Sequence, residues 1–381
     1  MAQQDGSNDR RIWTHSEAKD PLGIFELAWR PDGKELAFSS AHNSIFSVYH
    51  SDIYSIRPDG SGFRKITTGP DHKDFGKFKK GTVSVTVKNM QYSFQQAQSS
   101  VGVFIVNVVG AKEPQHITLP PGASKTLLFK DVADFGNHAQ AVVALTGSYR
   151  WIMPGTDVQA GKTVKAPDLI ISGDGLELFG AFRPAWKSDG STVSFRSGAC
   201  IISKVASKSS GASFVSEPMF AGEHPSGSCV WDWGPTPALA DQVIYSENSS
   251  EEGAGIFISK EGSTHSNKRL TFFSELQMQI SAELRWLPDG SGFLYSTIHL
   301  EYDRSNIFHF DINTKKTKQI TQFTTGFARR FCVSPDGKWI VYERSLTWDD
   351  YETPVDLWIV KIDGSEERLL IKNGQSPSWS K

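Results

Sequence analysis

The sequence predicts an all-β chain: a β-propeller with a β-sandwich domain inserted between its first and second blades. Three observations predict it. An apolar strand ending in Trp, then Pro/Ser-Asp-Gly, then a second apolar strand, recurs along the 381 residues. The copies follow one another at intervals of 47, 53, 47 and 46 residues, after one long interval of 157. The long interval itself reads as alternating strands cut by Gly/Pro turns, and 33 Gly and 18 Pro across the chain favour many short elements.

Composition narrows the function classes. Lys+Arg is 40 and Asp+Glu 42, for a net charge of −2. That balance carries no electrostatic footprint for nucleic acid and no basic run for a membrane surface. Hydrophobic residues make up 38% and charged residues 22%, enough to bury a core. The longest apolar stretch, VGVFIVNVVGA (101–111), is too short to span a bilayer and is interrupted by Asn107. The polar start, MAQQDGSNDRR, has no apolar h-region of a signal peptide. Cys200, Cys229 and Cys332 lack zinc or haem spacing; they read as small buried hydrophobes, or as one disulfide plus a thiol.

In chain order, residues 1–20 form an arm whose RRIWTH (10–15) is a candidate closing strand, and 21–69 form blade one. Residues 70–176 form the inserted sandwich, and 177–381 the remaining blades with a C-terminal closing strand. The repeat copies are FELAWRPDGKELAFSS (25–40), FRPAWKSDGSTVSFRS (182–197), AELRWLPDGSGFLYST (282–297) and RRFCVSPDGKWIVYER (329–344). CVWDWGPTPALADQVIYSE (229–247) is a degenerate copy, and a final SPSWS opens one more. The aligned positions are Trp29, Trp186, Trp233, Trp286, Val333 and Trp379. Asp-Gly between apolar runs is a hairpin signal, because Gly tolerates φ > 0 and Asp bonds its own backbone. A second strand pair follows, as in SDIYSIRPDG–FRKITTG (51–69). Four strands at this period form a blade, and only stacking buries its two apolar faces. Six blades with one incomplete is the favoured count, five the alternative.

The phrase Trp-x-Pro-Asp-Gly, the I-A-F-type strand, I-Y-x-x-x-x-D-G and the basic-flanked I-T resemble the repeats of TolB-type propellers (PD40, WD40-like). The terminal SPSWS resembles the way such chains end, the last strand closing a blade begun at the N-terminus. This likeness, over about 25–69 and 177–381, implies a periplasmic or secreted protein that binds other envelope proteins. It is specific for architecture; one such fold hosts many functions.

In the insert, GTVSVTVKNMQY (81–92), VGVFIVNVVG (101–110), KTLLFKDVADFG (125–136) and AQAVVALTGSYRW (139–151) alternate as strands, arguing for a sandwich. Its end, DVQAGKTVKAPDLIIS, loosely resembles carboxypeptidase-regulatory-like or Ig-like sandwiches. The insert leaves after a fourth strand, on the face that collects the loops between second and third strands. That face is the expected binding face.

Several constellations fall there. The acidic loops 247–255, 299–306 and 347–356 could hold Ca²⁺, or could be a solvated rim that keeps edges from pairing. Three residues before the Trp positions stand Glu26, Arg183, Glu283 and Arg330, able to grip a polar ligand or to pair with one another across blades. Trp231, beside Asp232 and Trp233, and His224 just upstream suit a sugar or peptide anchor, with plain packing as the other reading. None of the ten His forms H-E-x-x-H, and no G-x-S-x-G, P-loop or G-x-G-x-x-G occurs.

The expectation is a non-enzymatic binding or scaffold protein with no required cofactor. It presents one propeller face and the sandwich to a protein partner of the envelope or an extracellular assembly. The site residues are Glu26, Arg183, Glu283, Arg330, His224 and Trp231. The alternative is a carbohydrate-active propeller enzyme, a polysaccharide lyase or glycosidase, working at the same mouth.

Overall fold

The computed structural model describes residues 7, 10–13, 24–40, 51–67, 76–91, 102–136, 140–146, 149–173, 176–177, 181–197, 201–206, 217–219, 230–249, 253–263, 268–272, 279–299, 304–347 and 355–380. These residues build an all-β propeller of five four-stranded antiparallel meanders. The inner strands are Ile24–Trp29, Ala181–Trp186, Trp231–Trp233, Gln279–Trp286 and Gly326–Val333, and three strands follow each outward.

The Asp-Gly phrase turns as its chemistry requires. The amides of Gly33, Gly190, Gly290 and Gly337 each donate to the carbonyl three residues back, and each Gly has φ between +69° and +74°. The Asp before each Gly accepts an amide two residues on, as Asp289 does from Ser291 at 2.9 Å. In blade three a short 3₁₀ turn, Pro237–Leu239, replaces the phrase. A Cβ on Gly234 would lie 1.9 Å from the Leu239 carbonyl oxygen, so only glycine fits there.

The threonine of the I-T phrase fastens the outer strands. Thr67 donates to Asp52 at 2.7 Å and accepts the Ile53 amide at 3.0 Å. Thr321 repeats both bonds with Asn306 and Ile307 in blade four.

Stacking buries the faces blade by blade. Ala37, Ile53 and Ile66 of blade one meet Trp186, Val193 and Phe195 of blade two. Ile202 meets Trp231, Trp233 and Tyr245 of blade three, whose Ile244 and Ile256 meet Leu284, Trp286 and Phe293 of blade four. Leu294 and Ile307 meet Ala328, Phe331 and Tyr342 of blade five. At about 25 cal/mol per Å² of buried apolar surface, these interfaces hold the ring together.

Between blade five and blade one lies a sixth position. Trp379 packs on blade five beside Cys332 and Ile359, while Ile12 and Trp13 pack on blade one beside Phe38 and Tyr54. The two segments expected to close the ring therefore stand where a sixth blade would, but among the described residues neither forms a strand.

The insert folds as two facing sheets. One carries Leu176–Glu177, Tyr149–Thr156, Gln140–Thr146, Val103–Val108 and Gln115–Thr118 in that order. The other is centred on Lys80–Asn89, paired antiparallel with Ser124–Ala133 and parallel with Thr163–Lys165 and Leu169–Ile171. Alternation points Val83, Val85 and Val87 inward onto Phe104, Val106 and Trp151, in a core separate from the blade cores.

Candidate functional site

Each inner strand running the full height of the ring is irregular near the third residue before its Trp position. Register shifts fall at Phe25/Ala28, Phe182/Ala185, Ser281/Glu283 and Ala328/Phe331. Glu26 (φ 57°), Arg183 (φ 55°) and Ser376 (φ 50°) adopt the left-handed conformation there. A bulge re-aims a side chain, and here it turns charged groups towards the axis.

Four of the six residues expected at the mouth come together in this way. Arg183 donates to Glu283, and the Arg183 amide donates to Glu26 Oε2 at 2.5 Å. Arg330 lies 3.6 Å from both Glu26 and Glu343. Arg285 lies 3.0 Å from Glu283, and Arg329 lies 3.3 Å from Glu343. The Ser376 amide donates to Glu343 at 2.6 Å, and the Ser376 hydroxyl accepts the Glu26 amide at 2.9 Å. The space left among these groups is about 10 Å³, room for no more than one water. The charges seal the axis against one another.

Burial works against the charge of Arg183 and pulls its pKa down, with Glu283 opposing. Burial acts on Arg285 too, but Glu283 and Asp232 outweigh it and hold that guanidinium above its ordinary value.

Trp231 is buried, not exposed, and both its indole N–H and that of Trp233 donate to the Ser194 hydroxyl at 2.8 Å. His224 lies outside the described residues. So do most of the acids of the three proposed Ca²⁺ loops, including Glu301, Asp303, Asp349 and Asp350. Among the described residues no cluster of three or more His, Cys, Asp or Glu could hold a metal. Cys332 is a free buried thiol, and Cys200 and Cys229 lie outside the described residues.

Against the charged layer sits a funnel of about 360 Å³ that opens on the side of the Asp-Gly turns. Its wall holds Trp29, Trp186, Trp233, Trp286 and Trp379, with Pro31, Pro235, Pro288 and Pro335 at the turns. Its floor holds Asp232, Arg285 and Cys332. Asp232 accepts the amides of Trp233 at 3.0 Å and Trp286 at 2.8 Å, tying blade three to blade four. Burial raises its pKa to about 6, against the pull of Arg285 and the two amides.

The funnel opens away from the chain that leads into the sandwich. The sequence points to the other mouth, many of whose loops lie outside the described residues. Sequence reasoning missed Asp232 and Arg285, which lie together on the funnel floor. The signal was present one residue before each Trp position, where Ala28, Ala185, Asp232, Arg285, Cys332 and Ser378 form a second row. Glu343, on the second strand of blade five, carries no repeat signal.

No family model matches the chain, and no curated protein matches it. Among solved structures it is similar to the putative TolB of Agrobacterium tumefaciens, at 16% identity and TM-score 0.35, over 52% of this chain and 84% of that one. It is similar to TolB of Acinetobacter baumannii, at 15% identity and TM-score 0.40, over 93% of this chain but only 65% of the length of that one. An oligogalacturonate lyase in complex with manganese gives 11% identity and TM-score 0.40, over 94% of this chain and 84% of the other. Likeness at this level carries no activity across, and the architecture rests on the chain's own sheets. The chain is an all-β propeller similar to the TolB-type repeat proteins, with a two-sheet domain inserted after its first blade.

Proposed function

We propose that this chain is a non-enzymatic binding module of the bacterial cell envelope, periplasmic or secreted, whose funnel receives a segment of a protein partner. The observation that supports this reading is the funnel itself: indole and pyrrolidine rings above a floor where Arg285 pairs with Glu283 of the charged layer and Asp232 accepts two backbone amides. Such walls suit an extended proline-containing segment, since rigid aromatic surfaces bury it at low entropic cost. On this reading Glu26, Arg183, Glu283 and Arg330, paired with one another, brace the funnel from beneath, and the buried Trp231 supports its wall from behind. Assignment to the envelope rests on the resemblance of the repeats. No helix among the described residues is long and apolar enough to cross a membrane.

The test is a photo-crosslinking side chain at Ser188, on the funnel wall, and a second at Lys125, on the exposed face of the insert, in envelope preparations. The reading expects a discrete protein adduct from Ser188 and none from Lys125. Adducts from Lys125 alone would move the interface to the insert. Turnover of acidic polysaccharide by the pure protein would replace the reading with a carbohydrate-active enzyme.

A further inference from the structure

The funnel is blind. The charged layer beneath it leaves about 10 Å³, so a chain that enters cannot pass through. The funnel itself holds about 360 Å³. The spacings of packed strands give an extended chain roughly 150 Å³ per residue, so the funnel takes about two residues. A loop that reaches the floor brings two lengths of chain into that space side by side; a chain end brings one.

The floor at blade four is rich in donors and short of acceptors. Among the described residues, the contacts of Arg285 to acceptors all leave Nη1, to Glu283 and to the Leu284 carbonyl, both at 3.0 Å. Its Nε and Nη2 form the edge that matches a carboxylate with two parallel bonds. The side chain is 24% exposed, and the layer below is full, so that exposure opens on the funnel. Next along the strand, the buried Trp286 indole N–H has no acceptor, whereas that of Trp186 donates to the Ala28 carbonyl at 3.0 Å. Among the described lining residues Asp232 is the one carboxylate, and each of its oxygens already accepts a backbone amide. Arg30 and Arg285 leave the lining with more positive than negative charge. Resting on the reading of the funnel as the partner site, we propose that it captures the C-terminal carboxylate of the partner chain on the Nε–Nη2 edge of Arg285, with the last residues packed on the indole and proline wall.

The probe is a hexapeptide labelled with fluorescein at its N-terminus and ending Pro-Val-Pro, made as the free acid and as the C-terminal amide, with anisotropy read on the full chain. The proposal expects saturable one-to-one binding of the acid, and binding of the amide at least about tenfold weaker. Arg285→Gln and Arg285→Lys should each abolish that preference, because neither keeps the paired edge. Glu283 retains Arg183 as its partner in both variants. On the unaltered chain, the Arg285 Nε–H proton resonance should move with the acid and stay with the amide, which needs no variant to fold. Equal affinity for acid and amide, or an unmoved Arg285 resonance at saturation, would overturn the capture and leave the funnel to internal segments. Displacement of the peptide by free glucuronate at the peptide's own concentration would overturn it in favour of an acidic sugar. Absence of saturable binding by the acid would overturn it as well; the funnel reading falls with it only if Ser188 also gives no adduct.

Discussion

Arg183 and Glu283, one hundred residues apart, meet as a hydrogen-bonded ion pair on the propeller axis, and Glu283 is only 1% exposed. Arg285 shares the same carboxylate oxygen at 3.0 Å. Removing one partner of a buried ion pair costs far more than the pair contributes, because the other charge stays desolvated. Glu283→Ala should therefore destabilise the fold by about 3–5 kcal/mol, measured by urea unfolding. Lys338→Ala, at an exposed pair 3.5 Å from Asp336, should cost under about 1 kcal/mol. Comparable costs for the two would deny the axis its role.

Ser194 accepts two indole N–H groups, from Trp231 and Trp233, at 2.8 Å each. One methyl-sized change thus strands two buried donors. Ser194→Ala should cost about 2–4 kcal/mol, against about 1 kcal/mol for an ordinary hydrogen bond. Ser194→Thr, which keeps the oxygen, should recover part of the loss in the same unfolding experiment.

Burial makes Asp232 bind its proton more tightly in the fold, with a pKa of about 6 against the ordinary 3.8. Between about pH 4 and 6 the folded state therefore holds more protons than the unfolded chain, and this group's contribution to stability declines as pH rises through that window. Asp232→Asn removes the dependence. Relative to wild type, the variant should gain about 1–2 kcal/mol between pH 4 and pH 7, because the site is partly open to water. Urea midpoints across that range check the sign; a difference constant with pH would contradict it.

Much of the fold was legible in the sequence because its signals are local. The Trp-Pro-Asp-Gly phrase encodes a turn with one left-handed glycine, and Gly33, Gly190, Gly290 and Gly337 adopt it. The charges three residues before each Trp were legible as a row. Their pairing was not, because a bulge decides where Glu26 and Arg183 point and backbone strain leaves no compositional mark. Trp231 shows the opposite difficulty. An aromatic-acid-aromatic triplet reads equally as an exposed anchor or a packed wall, and only the position of Ser194 on the next blade buries it. Glu343 comes from the second strand of blade five, where no repeat position draws attention to an acid.

Cys332 is buried, and burial pushes its thiol pKa up to about 12. The thiolate is the reactive form, so at pH 8 its alkylation should run roughly a thousandfold slower than that of an ordinary thiol with a pKa near 8.5. Mass-mapped iodoacetamide labelling, native and in urea, checks this. Fast native labelling at Cys332 would mean that the funnel floor opens.

Ring closure depends on residues 376–379, which lie between Glu343 of blade five and the inner strand of blade one. Hydrogen exchange at the Glu26, Trp29 and Ser376 amides tests this most directly, compared in the full chain and in a chain ending at Gly374. The predicted result is joint protection of all three in the full chain. Glu26 and Trp29 should lose it in the shortened chain, while Val83, Val85 and Val87 of the insert stay unchanged. Equal exchange at Glu26 and Trp29 in both chains would contradict the closure, and with it the funnel built on it.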